Sequence, residues 1–183
     1  MGRSYSAYER ELKELLQGEP TTIARYARAL DPVDRPTLQR VLLEPFLVIR
    51  AAGSLGFDLV ALRSEFSFPL EVKASSEETI RFSSASGRAG LQLAAHQKAV
   101  DRVGLIVLYA YRRIGHREGD PWRLFAVPGP SRSGRLGLLR KWIPPVDWTR
   151  EGNAVLRWDA GLPLVRFLER VFFLTERPPE PAA

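Results

Sequence analysis

The sequence predicts an α/β fold in which a mixed central β-sheet is flanked by helices. Residues 57–73 read as two short strands joined by a hairpin, because apolar and polar side chains alternate along them. Residues 4–17 and 87–102 show the spacing of amphipathic helices. Residues 103–111 form an apolar run after the second of these helices, which is typical of a buried central strand. The length of 183 residues suits a single domain with a sizeable core, and we expect that domain to span residues 1–175.

Composition narrows the classes of function. A net charge of +6 and a pI near 10.0 favour a polyanionic partner. Most of the 27 basic residues are arginines, whose planar guanidinium groups suit bidentate phosphate binding, although a GC-rich genome would produce the same bias. The absence of cysteine excludes a disulfide framework, a thiolate zinc site and a cysteine nucleophile. Only two histidines occur, far apart in the sequence, which argues against a histidine-based metal site.

Nothing in the sequence indicates a membrane protein. The N-terminus lacks the apolar stretch of a signal peptide, and the longest apolar run is too short to cross a bilayer. Met1-Gly2 with Ser6 matches the myristoylation pattern, which is short enough to arise by chance. We therefore expect a cytoplasmic protein associated with the nucleoid.

The first helix, residues 4–17, carries an apolar stripe that includes Tyr8 and Leu12, and Glu9 lies beside that stripe. Glu9 fits a surface ion pair with Lys13 equally well as a role in a site. Residues 18–45 are expected to form two further helices, with Thr21 or Thr22 as the first cap. Their arginines indicate either a second DNA-facing surface or a small helical cap over the core.

The hairpin brings charged residues together. Phe66, Phe68, Leu70 and Val72 share one face of the second strand, which leaves Glu71 and Lys73 on the other face. Asp58 lies on the corresponding face of the first strand. The sequence therefore predicts two carboxylates and a lysine close together at the end of an antiparallel pair.

This grouping suits a divalent-metal phosphodiesterase site. Mg²⁺ binds oxygen ligands, usually one or two carboxylates with water and substrate phosphate. A bound metal ion lowers the pKa of water, and a neighbouring lysine can hold the attacking water and stabilise negative charge. A carboxylate followed by Glu-x-Lys is the pattern PD-(D/E)xK of restriction-endonuclease-like nucleases, with Phe57 here in place of the proline. The alternative is a solvated strand face on which Glu71 and Lys73 form an ion pair.

The second half of the chain is predicted as alternating elements. Residues 77–86 read as a polar loop beside the site. The helix at 87–102 has Leu91, Ala94, Ala95 and Ala99 as its packing stripe, with Gln92 and His96 on or near that stripe. His96 fits a structural role at least as well as a functional one. Strands follow at 103–111 and 122–127, and the loop between them carries a basic tip.

Residues 128–175 are predicted to form a C-terminal extension that ends in an amphipathic helix at 161–174. This helix carries more apolar residues than an exposed helix should, so we expect it to pack on the core or on a second subunit. The proline-rich residues 176–183 are expected to be disordered.

Four short motifs resemble the archaeal-type Holliday junction resolvase family. They are Tyr8-Glu9-Arg10-Glu11-Leu12, Val48-Ile49-Arg50-Ala51-Ala52-Gly53-Ser54, Phe57-Asp58-Leu59-Val60-Ala61 and Leu70-Glu71-Val72-Lys73. They occur in the family's order and close to its spacing, within residues 4–17 and 46–129. The insertion at 18–44 and the longer C-terminus depart from the family pattern and bear on substrate and partner geometry.

The resemblance implies a restriction-endonuclease-like core and a metal-dependent endodeoxyribonuclease that cleaves branched DNA, most notably four-way junctions, as a homodimer. It implies that Glu9, Asp58, Glu71 and Lys73 are catalytic. Asp58, Glu71 and the Val72 carbonyl would hold Mg²⁺ or Mn²⁺, Glu9 would complete the metal shell, and Lys73 would position the water. Candidate DNA contacts are Arg10, Arg50, Ser54, Ser75, Arg81, Arg88, Arg112 and Arg113.

Other functions remain open from the sequence. A nuclease of the same superfamily could act on flaps, nicks or foreign duplex DNA. A non-catalytic DNA-binding protein could keep the fold and the basic surface. A structural partner in a repair complex could dock through the helix at 161–174.

Overall fold

The computed structural model describes residues 5–51, 56–82, 88–131 and 133–176. The helices are α1 (Tyr5–Leu16), α2 (Pro20–Ala27), α3 (Arg35–Arg40), α4 (Arg88–Val103), α5 (Gly134–Trp142) and α6 (Leu164–Thr175). The strands are β1 (Leu47–Arg50), β2 (Leu59–Arg63), β3 (Phe66–Ser75), β4 (Thr79–Phe82), β5 (Leu108–Arg113), β6 (Trp122–Ala126), β7 (Asp147–Trp148), β8 (Ala154–Arg157) and β9 (Leu162–Pro163). None of these helices is long and apolar enough to cross a bilayer.

A mixed six-stranded sheet organises the fold, in the order β1-β2-β3-β5-β6-β9. Strand β3 pairs antiparallel with β2 and parallel with β5, and the remaining neighbours are antiparallel. The β2–β3 connection is the predicted hairpin, with Arg63 opposite Phe66 across a two-residue turn. The predicted α/β architecture, with a mixed sheet between helices, is confirmed.

The two faces of the sheet are covered by different elements. Leu70 and Val72 belong to a core built with the apolar faces of α1 and α6, because alternate β3 side chains point to this face. Tyr109 and Tyr111, the β5 residues opposite Glu71 and Lys73, belong to a second core that includes apolar residues of α4. The predicted charged residues of β3 therefore face α4.

The C-terminal segment completes this main core. The helix predicted at 161–174 begins later, at Leu164, because Leu162 and Pro163 form an edge strand on β6. Seven side chains of α6 are buried, whereas Phe173 is exposed. Of the two predicted packing modes, the structure has the helix on the core of its own chain.

The polar loop predicted at 77–86 is wrong over residues 79–82. These residues form β4, which pairs with β8 in a second, three-stranded sheet ordered β4-β8-β7. Phe82 and Leu156 face inward to the core beneath α4. This pairing joins distant parts of the chain, so residues near the site are supported by the C-terminal segment.

Two details around α4 also differ from the prediction. The helix ends at Val103, and Gly104 follows it with a φ of +76° in the left-handed region. The next strand therefore starts later than predicted, at Leu108. The buried side chains of the helix are those of Leu93, His96 and Val100, whereas Leu91 is exposed. The inward face is therefore rotated away from the predicted alanine stripe.

Residues 18–45 form a helical cap over the main core, as one of the two interpretations held. Helix α2 packs on α1, and α3 packs on α6. The cap of α2 is Glu19, whose carboxylate accepts from the backbone N–H groups of Thr21 and Thr22, so the prediction of a threonine cap is wrong. Gly18 precedes it with a φ of +70°, which reverses the chain after α1.

A buried carboxylate ties this cap to the C-terminal helix. Asp120 accepts hydrogen bonds from the Tyr26 hydroxyl at 2.5 Å, the Trp122 N–H at 2.9 Å and the Val165 N–H at 2.8 Å. Burial raises the pKa of Asp120, and the hydrogen bond from Tyr26 opposes that rise. Since Val165 lies in the first turn of α6, this carboxyl group joins α2, the start of β6 and α6.

Candidate active site

Strand β3 extends beyond its partner β2, and this overhang forms the site. The β2–β3 pairing ends at Leu59 and Leu70, whereas β3 continues to Ser75 beside β5. Asp58 directly precedes β2, and its carboxylate Oδ2 accepts from the Val72 N–H at 2.7 Å. The Asp58 side chain thus accepts the hydrogen bond that a further residue of β2 would accept on this flank of β3.

The Val72 carbonyl points toward the same flank. In an antiparallel pair, the N–H and C=O groups of one residue face the same neighbour, and residues two apart face the same side. Leu70 accepts from the Asp58 N–H at 3.0 Å on this side, and the Val72 N–H points to it as well. The backbone geometry therefore brings one carbonyl and one carboxylate to the open flank of β3.

Glu71 is buried beside this flank and is paired with Lys73. The lysine Nζ donates to Glu71 Oε1 at 2.6 Å, and the side chains are 5% and 18% exposed respectively. The second oxygen, Oε2, is buried and has no hydrogen-bond partner among the described residues. A buried carboxylate oxygen without a donor carries a substantial desolvation cost, which a cation would offset.

The pKa of Glu71 reflects this environment. Burial raises it from its ordinary value of 4.5 to about 7, since removal from water disfavours the charged form. The Lys73 ammonium opposes this rise, and the Asp58 carboxylate adds to it. Glu71 therefore exchanges a proton near neutral pH.

Helix α4 supplies the neutral polar groups of the site. Gln92 Oε1 accepts from Lys73 Nζ at 3.3 Å, and its Nε2 donates to the Gly56 carbonyl at 2.8 Å. The His96 ring contacts the same carbonyl and the Tyr109 hydroxyl. The helix thus orients both the lysine and the turn before Asp58.

The donor set suits a hard divalent cation. Asp58, Glu71 and the Val72 carbonyl provide oxygen atoms only, which is what Mg²⁺ and Mn²⁺ prefer. Within the part of the chain that the structure describes, no three or more acidic, histidine or cysteine residues cluster as a complete protein ligand set. Mg²⁺ sites commonly use one or two carboxylates and complete the shell with water and substrate phosphate. The residues present therefore fit such an ion.

Glu9 lies in a separate, basic cleft. Its Oε2 pairs with Arg50 at 2.8 Å, so the alternative pair with Lys13 is not the one seen. A cleft of about 280 Å³ is lined by these residues with Arg10, Lys13 and Leu59. Leu59 follows Asp58, so this cleft adjoins the start of β2. The role of Glu9 in the metal shell remains a prediction.

Two of the predicted DNA-contact residues, Arg112 and Arg113, are held in ion pairs within the protein. Arg112 points inward, where its Nε donates to Glu11 at 2.9 Å and only 15% of the side chain is exposed. This pair joins α1 to β5, and the role of Arg112 as a DNA contact remains a prediction. Arg113 pairs with Glu78 and lies over the Trp158 ring.

Other predicted contacts lie at the surface or outside the described residues. Arg81 is exposed on β4, and the Ser75 hydroxyl accepts from the Glu77 N–H at 3.1 Å. Ser54 and the side chain of Arg88 lie outside the described residues.

The chain was compared with known proteins. No family model matches the sequence, and no curated protein matches it. A similar solved structure is a Holliday junction resolvase of Archaeoglobus fulgidus, an archaeal hyperthermophile. The two chains are 18% identical with a TM-score of 0.44, over 79% of this chain and 96% of the other.

One residue of the site was not found from the sequence. Tyr109 was predicted only as part of an apolar strand, yet its hydroxyl contacts His96 beneath the site. Tyr109 pairs with Glu71 in the parallel β3–β5 register, so knowledge of that pairing could have identified it. Burial raises the pKa of Tyr109, so the hydroxyl remains a donor.

Proposed function

We propose that this protein is a metal-dependent endodeoxyribonuclease with a restriction-endonuclease-like core, and that it cleaves branched DNA, four-way junctions above all. The observation that carries the proposal is the open flank of β3, where the Asp58 carboxylate binds the Val72 N–H and Lys73 pairs with the buried Glu71. A solvated surface ion pair does not account for this arrangement, because Glu71 is buried and one of its oxygens has no donor.

Mg²⁺ or Mn²⁺ would be held by Asp58, Glu71 and the Val72 carbonyl. The ion would supply a water of lowered pKa and would neutralise charge on the scissile phosphate. The unpartnered Oε2 of Glu71 supports this assignment, because a buried oxygen without a donor is suited to a cation. The rise in the Glu71 pKa means that the carboxyl group loses its proton when it becomes a ligand.

Lys73 would orient the water and stabilise the negative charge that develops on the phosphate. Its ammonium is held between Glu71 Oε1 and Gln92 Oε1, so it is directed before substrate arrives. A fixed cation of this kind needs little rearrangement during the reaction, which is how electrostatic preorganisation lowers a barrier.

The basic cleft next to β2 would hold the DNA backbone. Arg10 and Arg50 are exposed, and Lys13 lies in the same cleft. Guanidinium groups bind phosphate oxygens in pairs, which positions a strand without reading its sequence. A homodimer would present two such sites to the two continuous strands of a junction.

The test is a cleavage assay with Mg²⁺ or Mn²⁺, in which wild type is compared with Glu71→Gln and Arg117→Ala. Substrates of matched sequence would be a four-way junction, linear duplex, nicked, flapped and single-stranded DNA. We expect paired symmetrical nicks in the junction, lost in Glu71→Gln and retained in Arg117→Ala, which changes an exposed cation outside the site.

The substrate profile separates the alternatives. Equal cutting of the other substrates would favour a broader nuclease that uses the same residues. Tight, salt-sensitive binding without cleavage by wild type would favour a DNA-binding protein, and it would contradict the catalytic assignment.

A further inference from the structure

The turn before Asp58 is held by side chains of α4. The Gly56 carbonyl accepts from His96 Nε2 and from Gln92 Nε2, each at 2.8 Å. The Phe57 ring stacks on the imidazole, with centroids 4.4 Å apart and an angle of 18° between the planes. The two residues that lead into Asp58 are thus both in contact with His96.

The orientation of the His96 ring follows from its two partners. A carbonyl oxygen only accepts, so Nε2 carries the proton that binds Gly56. Nδ1 of the neutral ring must then accept, and the Tyr109 hydroxyl donates to it at 2.9 Å. His96 is 1% exposed, and burial lowers its pKa, which keeps the ring neutral. The Gly56 carbonyl therefore selects the tautomer, and the Tyr109 hydroxyl supports it by donating to Nδ1.

The turn is in contact with His96 on one side and with the strands on the other. Gly56 has a φ of +74°, and a Cβ at this position would lie 3.4 Å from His96 Nε2. On the strand side, the backbone of Asp58 bonds to Leu70 and Ala51, each at 3.0 Å. Strand pairing fixes the backbone of Asp58, and the imidazole binds the two preceding residues through the Gly56 hydrogen bond and the Phe57 stack.

We propose that His96, supported by Tyr109, is a positioning residue that holds the Gly56–Phe57 turn so that the Asp58 carboxylate stays on the Val72 N–H beside Glu71. The inference rests on the proposed function only where Asp58 is taken as a metal ligand. The positioning of the turn and of the Asp58 carboxylate by His96 depends on neither metal nor DNA. Groups that orient metal ligands commonly change activity by about 10- to 100-fold when removed.

The first measurement needs neither metal nor DNA. Amide hydrogen exchange would be followed at Val72, whose N–H bonds to the Asp58 carboxylate, in wild type and in His96→Ala, His96→Gln and Tyr109→Phe. We expect Val72 to exchange at least about tenfold faster in His96→Ala, since a loosened turn breaks this bond. Other amides of β3 and β5 should keep their protection. His96→Gln should restore part of it, because its amide can donate to Gly56.

The other histidine of the chain is the matched control. His116 also lies against an aromatic ring, that of Trp158, at 4.5 Å, but it has no part in the turn. His116→Ala should leave Val72 exchange unchanged. In wild type, ¹⁵N shifts of His96 should show a proton on Nε2, and Tyr109→Phe should keep this tautomer while Nδ1 loses its donor.

Cleavage kinetics provide the second measurement. His96→Ala should lower kcat by about 10- to 100-fold with little change in KM for DNA, because the residues proposed to contact the DNA backbone line the basic cleft next to β2. Unchanged Val72 exchange in both His96→Ala and Tyr109→Phe would overturn the proposal. If His96→Ala does not fold, Tyr109→Phe decides, since it removes a single hydroxyl. If wild type cleaves no DNA, the proposed function fails while the exchange data still test the turn.

Discussion

The burial of Glu71 makes a quantitative prediction about stability against pH. Burial raises its pKa from 4.5 to about 7 in the folded protein, whereas the unfolded chain keeps the ordinary value. Between these two pH values the folded state holds a proton that the unfolded state has lost. Its contribution to stability is therefore complete below pH 4.5, falls as the pH rises toward 7 and is lost above 7.

The size of the effect follows from the same shift. Each pH unit between the two values is equivalent to about 1.4 kcal/mol, so ionised Glu71 destabilises the metal-free fold by roughly 3 kcal/mol above pH 7. Glu71→Gln cannot titrate. The difference in unfolding free energy, Glu71→Gln minus wild type, should therefore increase by roughly 3 kcal/mol from pH 4.5 to pH 8.

Urea denaturation of both proteins in EDTA, at several values from pH 4.5 to pH 8, measures this difference. Groups common to both proteins cancel, and the effect of the Lys73 ammonium is already contained in the Glu71 pKa. Parallel stability curves over this range would refute the reasoning about Glu71. Adding Mg²⁺ at pH 8 should then stabilise wild type alone, by about 2.7 kcal/mol at a concentration 100 times the Kd.

Two structural predictions concern residues away from the flank of β3. Gly18→Ala should destabilise the fold by roughly 2–4 kcal/mol, because the residue has a φ of +70° and its Cβ would lie 2.7 Å from the Val41 carbonyl oxygen. Thermal unfolding measures this loss of stability. An unchanged stability would show that α1 and α3 can separate. Arg112→Ala should cost roughly 3–5 kcal/mol of unfolding free energy, because it removes the guanidinium that pairs with the buried Glu11 carboxylate. A stable variant that binds DNA more weakly would instead favour Arg112 as a phosphate contact.

The hairpin and its charged residues could be predicted because their signals are local. Alternation along β3 separates Leu70 and Val72 from Glu71 and Lys73, and the turn lies between adjacent strands. The same alternation predicted that Asp58 would meet Glu71. Metal binding by these residues remains a prediction.

The errors arose where distant parts of the chain decide the structure. Residues Thr79–Phe82 become a strand because β8 pairs with them, some seventy residues later. Arg112 turns inward because Glu11, 101 residues away, accepts from it. The packing face of α4 was wrong because hydropathy favours alanine over His96, although this histidine finds partners on both of its ring nitrogens.

The integration of the C-terminal segment has a consequence for how this protein can be divided. Strand β9 closes one edge of the main sheet, β8 supports β4 behind the site, and Asp120 caps the first turn of α6. A chain truncated at residue 128 would lose the apolar residues that α6 contributes to one core and β8 contributes to the other. The last third of the chain is thus not an exchangeable module, because its removal would expose apolar residues of both cores.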